Sequence, residues 1–337
     1  MSDRIIDLYT HFMPAGHLEK FQALSQDRGM VKRMASIPML YDLEARRRMV
    51  GRWPGYQQVL TPCPPGPEKI GEPKDRAALA RLINEGLADI CRKHPDEFPA
   101  FVAAVPLDDI DAALRELEYS VDQLGARGVQ VYTNVLGRPI DGPEFAPLFG
   151  AVAARGLAVF LHPTRSAQFA DYPAEDKSQY EIWQVLGWPY DTAACIARLV
   201  FSGVMDRHPG LNIVTHHLGG IIPYLEGRIG PLWDQLGTRT EGDQYGGVLK
   251  SLKGRPIDYF RRIHADTAVG GSAGTMRCGI DFFGPDRVLF ASDCPFDPEG
   301  GPGFIREGMR ALASLELPPD TQVKIQSGNA CALLRLS

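Results

Sequence analysis

The segment DLYTHFMP, residues 7–14, places Tyr9 and His11 two residues apart at the end of an apolar run. On a β-strand that spacing points two side chains to one face, here with Asp7 as a third. Three further apolar runs end in a similar way. AVFLHP delivers His162, NIVTHHLGG delivers His216 and His217, and RVLFASDCPF delivers Asp293. Imidazoles and a carboxylate arriving from separate strand ends are the usual ligand set of a divalent ion, zinc or manganese. One histidine at a strand end is more often a hydrogen-bonded structural residue; four such strand ends together are harder to explain by chance. His94 and His208 lie in CRKHPDEF and MDRHPG, at helix C-termini where the dipole favours an imidazolium. His17, in a loop, and His264, inside a strand, carry no ligand pattern.

Positioning such groups at one place requires strands whose ends share a rim. Eight strands are expected, over residues 4–10, 57–61, 100–105, 128–132, 158–162, 212–216, 263–266 and 288–292, the number that closes a parallel barrel. Amphipathic helices alternate with them. In residues 75–91, Leu79, Leu82, Ile83, Leu87 and Ile90 recur at helical spacing. A second helix starts at Asp108-Asp109 and stops near Gly125, and a third runs from Pro143 to Gly156. A fourth runs from Asp191 to the His208-Pro209-Gly210 stop. Residues 12–56 and the Pro/Gly-rich 61–75 break the alternation and read as a lid or rim over the barrel mouth, within a single domain spanning 1–337.

Composition bounds the function. With 44% hydrophobic residues the 337-residue chain can fill a large core, and a net charge of −5 with no long basic run argues against nucleic-acid or membrane-surface binding. Six scattered cysteines without a CxxC pair suit free thiols in a reducing compartment, and neither a secretory leader nor a membrane span is expected. The expectation is a cytoplasmic protein.

Nearly the whole chain resembles the amidohydrolase-related decarboxylases typified by 2-amino-3-carboxymuconate-6-semialdehyde decarboxylase, a group that includes γ-resorcylate and 5-carboxyvanillate decarboxylases. The resemblance rests on DLYTHFMP, GVQVYTNV, FLHP, HADTAV, RVLFASDCPF and GNACALLRL, and most specifically on the block from Leu186 to Ile229. It implies a distorted (β/α)₈ barrel of the metal-dependent hydrolase type, a dimer or tetramer, with one divalent metal and a small carboxylic acid as substrate. By motif, His11, His162 and Asp293 match metal ligands, and His217 of HLGG matches the acid/base histidine. Arg46 of DLEARRRM would meet a substrate carboxylate, and Trp188 of LGWPYDT would line the pocket. Tyr9 departs from the pattern, since the family carries His or Glu there. A neutral phenol is a poor ligand, its ordinary pKa being about 10. Tyr9 then faces the substrate, packs the interior with a hydrogen bond to Asp293 or a carbonyl, or binds metal as a phenolate.

The reaction so implied is loss of CO₂, without oxidation, from an aromatic or enol-type acid. Protonation of the carbon that bears the carboxylate makes the ring the electron sink, with His217 or Asp293 as donor. Asp266 would either hold a histidine or cap the following helix. His216 is expected on the opposite face as a packing residue, Arg46 has the alternative of a solvated charge, and Cys294 reads as a small buried side chain. Water addition to a ring-cleavage product by a hydrolase, hydratase or lactonase on the same barrel, with or without a metal given the change at Tyr9, is the rival reading, and a barrel that binds without catalysis is a third.

Overall fold

The computed structural model describes residues 4–336. Its eight parallel strands are β1 (Ile5–Phe12), β2 (Tyr56–Pro62), β3 (Ala100–Phe101), β4 (Gly128–Tyr132), β5 (Ala158–His162), β6 (Asn212–Thr215), β7 (His264–Asp266) and β8 (Val288–Leu289). They pair in chain order as a run of three and a run of five. Two joins close the ring. Ala103 bridges Val129 between the third and fourth strands, with Gln130 N–H donating to Ala103 O at 2.9 Å. Leu8 N–H donates to Phe290 O at 2.9 Å and His11 N–H to Cys294 O at 2.8 Å, which returns the last strand to the first. The chain is thus the expected (β/α)₈ barrel. Its distortion lies in β3 and β8, which keep only two regular residues each because the chain passes from one neighbour to the next within a few residues.

A bulge in β1 decides what faces inward. Asp7 pairs with Gln58 but Thr10 pairs with Leu60, so β1 holds one extra residue between them. Ile6 and Leu8 enter the barrel interior with Val59, Val102, Phe160, Val214 and Leu289; after the bulge Tyr9 and His11 take over that side. The expectation that Asp7, Tyr9 and His11 share one face is therefore corrected. Asp7 turns away and accepts from Tyr56 Oη at 2.5 Å and Ser292 N–H at 3.0 Å, tying β1 to its two neighbours. Burial pushes its carboxyl up to about 6, against the Ser292 and Tyr56 hydrogen bonds.

The outer layer follows from local sequence signals. Helix Pro73–Lys93 starts with Pro at its first position and a reciprocal Glu72/Asp75 cap, and it buries Leu79, Ile83, Leu87 and Ile90 on one face. Helix Ile110–Asp122 is capped by Asp109, whose carboxylate accepts from Ala112 N–H at 2.9 Å. Residues 12–56 are more regular than a loop, with helices at His17–Leu24, Arg28–Ala35 and Leu43–Val50. Among the described residues, no helix is long and apolar enough to cross a membrane.

Candidate metal centre at the strand ends

Three imidazoles meet at the C-terminal rim, each with one ring nitrogen already committed. His11 Nδ1 lies 2.9 Å from Pro62 O, and His162 Nδ1 lies 2.6 Å from Pro163 O. A carbonyl only accepts, so both Nδ1 atoms carry a proton, which leaves each Nε2 as the atom able to offer a lone pair in the neutral ring. His216, just beyond β6, donates its Nδ1–H to the Asp266 carboxylate at the end of β7. Asp266 also accepts from Leu218 N–H at 3.2 Å and Ala268 N–H at 3.0 Å, so it is fixed before it fixes the ring. The helix that follows is capped by Ser272, which leaves the histidine-holding role to Asp266.

Asp293 is the shared anion. Its Oδ1 lies 3.3 Å from His11 Nε2 and 3.3 Å from His216 Nε2, and its Oδ2 lies 3.6 Å from His217 Nε2. These three contacts outweigh burial and hold the carboxyl well below its ordinary range. Burial pulls His216 down, but Asp266 and Asp293 overcome it and set the ring at about 9. Burial drives His162 well below the usual histidine value, helped by the other three rings. His217 is lowered by burial and by the neighbouring His216. Asp293 and His217 both adopt left-handed backbone, with φ of 62° and 53°, strain that concentrates at functional sites.

Donor atoms of His11, His162 and His216 lie within 4.8 Å of one another, as do those of His216, His217 and Asp293. His11 Nε2 is buried and has no hydrogen-bond partner among the described residues. It faces a carboxylate oxygen at 3.3 Å, a contact that either a proton or a cation between them makes favourable, and the convergence of imidazoles and a carboxylate on one point fits a divalent ion.

Tyr9 sits inside this cluster, fully buried. Its ring stacks on His216 at 3.9 Å and 17°, and its hydroxyl has no partner among the described residues. The expected bond to Asp293 or a carbonyl is therefore replaced by a ring contact. Burial and the neighbouring Tyr132, Asp266 and Asp293 push the phenol well above its usual value.

Above the rim opens a cavity of about 370 Å³. His162, His217, Asp293, Arg33 and Gln184 give it polar lining, and Trp188, Phe296, Met30 and Met34 supply apolar walls. The Trp188 indole lines this cavity, its Nε1–H donating to Arg165 O at 3.0 Å and its ring edge-on to His162. A wider groove lined by Arg28, Lys32, Arg33, Lys69 and Arg165 leads in.

Arg46 is not where a substrate carboxylate could meet it. It is fully buried, outside the residues that line the cavity, and its guanidinium donates to Gln58 Oε1 at 2.7 Å, Met39 O at 3.1 Å and His11 O at 3.3 Å. The arginine on the cavity wall is Arg33, which the sequence reading passed over. His216 is the second correction, since it faces the site and not the packing side. The strand ends at Thr215, and a positive φ at His217 cancels the alternation that would have separated the two rings. Gly219 and Gly220 just after, both at positive φ, were the signal for such a turn. Cys294 is buried as expected, its thiol pushed up to about 12 by burial.

The chain is similar to known proteins over most of its length. A family model described as amidohydrolase matches residues 64–336. The γ-resorcylate decarboxylase of Rhizobium radiobacter is 32% identical over 71% of this chain and 72% of its own. The 6-methylsalicylic acid decarboxylase of Penicillium expansum is 29% identical over 97% of this chain and 95% of its own. A dihydroxybenzoic acid decarboxylase from Polaromonas sp. JS666, solved with manganese and the inhibitor 2-nitroresorcinol, superimposes with a TM-score of 0.78 at 24% identity, covering 98% of this chain and 97% of that one.

Proposed function

The chain belongs to the amidohydrolase family, and from that membership we propose that it removes CO₂, without oxidation, from an aromatic carboxylic acid. A divalent metal, zinc or manganese, would be held by His11, His162 and Asp293. The observation that carries the reading is the junction of two environments: a committed set of imidazoles and a carboxylate, open to an apolar, aromatic-walled cavity. The decarboxylases to which the chain is similar, by their names, act on 6-methylsalicylate and γ-resorcylate. Manganese in a decarboxylase of the same fold supports a metal of that class.

An anionic substrate is drawn along the groove by Arg28, Lys32 and Lys69. Trp188, Phe296, Met30 and Met34 enclose its ring and exclude water, and Arg33 pairs with its carboxylate. A divalent ion held by His11, His162 and Asp293 would supply positive charge to the bound carboxylate. His217, on the cavity wall and anchored by Asp293, delivers a proton to the carbon that bears the carboxylate. The C–COO⁻ bond then breaks, its electron pair restores the ring, and CO₂ leaves. His217 is preferred to Asp293 as donor because Asp293 is already shared by His11 and His216 at 3.3 Å each, whereas His217 reaches it only at 3.6 Å and lines the cavity.

Several exposed apolar side chains follow β5, among them Tyr172, Tyr180, Val185 and Leu186, and a second copy of the chain covering them would give the dimer or tetramer. Six free cysteines suit the cytoplasm. The test is to load the purified protein with Mn²⁺ or Zn²⁺ and to score a panel of hydroxybenzoates for CO₂ release and decarboxylated product. Uptake of water by pyrone or lactone substrates, with no CO₂ from any acid, would replace this reading with a hydrolase or hydratase.

A further inference from the structure

We propose that His216 is a metal ligand equal in standing to His11 and His162, and that it supplies the donor that Tyr9, two residues before His11, does not. The proposal rests on the reading that the strand-end cluster binds a divalent ion, and it redefines which residues do so.

The argument is one of orientation. A ligating imidazole needs its second ring nitrogen tied to an acceptor, which fixes the tautomer and aims the free lone pair. His11 and His162 meet that requirement through the carbonyls of Pro62 and Pro163. His216 meets it through a carboxylate, Asp266, the partner that most increases ligand basicity. Asp266 is held in turn by two backbone N–H groups, so the ring has a fixed support. The Nε2 of His216 then lies 3.3 Å from the same Asp293 oxygen that His11 Nε2 faces at 3.3 Å. Those two nitrogens and His162 form a buried triad with all donor atoms within 4.8 Å.

His217 is built differently. Its side chain is 22% exposed where that of His216 is fully buried, and it lines the cavity that His216 does not line. The neighbouring histidines thus divide two tasks, with His216 facing the buried triad and His217 the substrate space. Tyr9 completes the arrangement as a wall. Its ring covers one face of the His216 imidazole at 3.9 Å and 17°, while His217 lies 3.8 Å from that imidazole at 32°. The ring of His216 is clamped between them. A smaller residue at position 9 would uncover one face of His216, and one at 216 would remove the stacked partner of the Tyr9 ring and leave it only its tilted contacts with His11, Phe160 and His162. The two positions form a matched pair.

The experiment compares full-length wild type, His216→Ala, Asp266→Asn and Tyr9→Phe. Each is read for metal content after gel filtration, for Mn²⁺ affinity against a competing chelator, and for the number of imidazole nitrogens around Mn²⁺ by pulsed electron paramagnetic resonance. Circular dichroism and melting of the metal-free proteins check that each variant folds. The expected result is that His216→Ala binds Mn²⁺ at least 100-fold more weakly and loses one imidazole from the count. Asp266→Asn should weaken binding about 10–100-fold, and Tyr9→Phe should stay within about threefold of wild type. Should His216→Ala fail to fold, Asp266→Asn and the nitrogen count of the wild type carry the test. Wild-type affinity in a folded His216→Ala, or only two imidazoles around the ion in the wild type, overturns the proposal while leaving the metal site intact. A phenolate-to-metal charge-transfer band on loading with Fe³⁺, lost in Tyr9→Phe, overturns it too, because Tyr9 would then be the ligand. Absence of any bound metal in the wild type overturns this proposal together with the reading beneath it.

Discussion

Arg46 and Gln58 are joined by a 2.7 Å hydrogen bond from Nε to Oε1 behind the first strand, with both side chains fully buried. The same guanidinium reaches His11 O at 3.3 Å, so it braces the backbone of a candidate ligand without touching the cavity. Arg33, by contrast, lies on the cavity wall with its guanidinium 5.4 Å from the Phe296 ring. The two arginines should therefore separate cleanly. Arg46→Met strands several buried acceptors, each costing roughly 1–3 kcal/mol, and should lower the melting temperature of the metal-free protein. Arg33→Ala should leave the melt unchanged and reduce kcat/KM about 10–100-fold, the worth of one charge-assisted contact. A fall in kcat/KM without thermal loss in Arg46→Met, with thermal loss in Arg33→Ala, would reverse the assignment.

His217 and the metal ligands should also part in their effects. If His217 moves the proton, His217→Asn should cut kcat by about 10²–10⁴-fold, the span ordinary for general acid catalysis. Metal content should remain that of the wild type, because the His217 side chain is 22% exposed and lines the cavity, while His216 joins His11 and His162 in the buried group. Steady-state kinetics paired with metal analysis on one preparation makes the comparison. Loss of metal in His217→Asn, parallel to the loss of rate, would make His217 a ligand and not a donor.

Much of this was legible in the sequence for a simple reason. Strands β4 and β5 are short apolar runs bounded by glycine, proline or a polar residue, and their observed bounds, Gly128–Tyr132 and Ala158–His162, are those expected. Residues at the ends of such strands, His11, His162 and Asp293, come together because a closed barrel leaves them no other rim. What sequence spacing could not give lies where period-two alternation fails. The bulge in β1 removes Asp7 from the inner face, and the turn after Thr215 brings His216 into it. Arg46 lies in the 12–56 excursion, where helix packing decides which side chain is buried, so neither its expected contact with a substrate carboxylate nor a solvated position matches the buried brace it forms. Nothing in the local pattern of RRRM distinguishes a brace from a solvated charge.

Gly220 tests how tightly that turn is built. It has φ of 62°, and a Cβ placed there would lie 2.3 Å from the carbonyl oxygen of Pro189, next to Trp188. Backbone cannot yield as a flexible side-chain tip would, so Gly220→Ala must open the contact between the HLGG turn and the Trp188 wall. The expected outcome is a loss of at least about 2 kcal/mol in urea unfolding and a rise in Trp188 solvent exposure, seen as a red shift against a Trp188→Phe control. Gly227→Ala, whose Cβ meets nothing within 4 Å, is the matched control and should be close to neutral.

Glu68 should set the alkaline side of the stability profile. It is fully buried, and neither carboxylate oxygen has a hydrogen-bond partner among the described residues. Burial raises its carboxyl to about 7, opposed by a backbone contact and by Lys69. The folded chain thus holds this proton more tightly than the unfolded chain does. The stability it contributes is whole below pH about 4.5 and is lost as the pH rises through about 7. Glu68→Gln keeps the shape without the charge, so it should match wild type near pH 4.5 and exceed it by up to about 3 kcal/mol at pH 8. Urea unfolding of both proteins across that range measures the difference, which should grow with pH. A constant difference, or one that shrinks as the pH rises, would mean that Glu68 is ionised and satisfied in the folded chain.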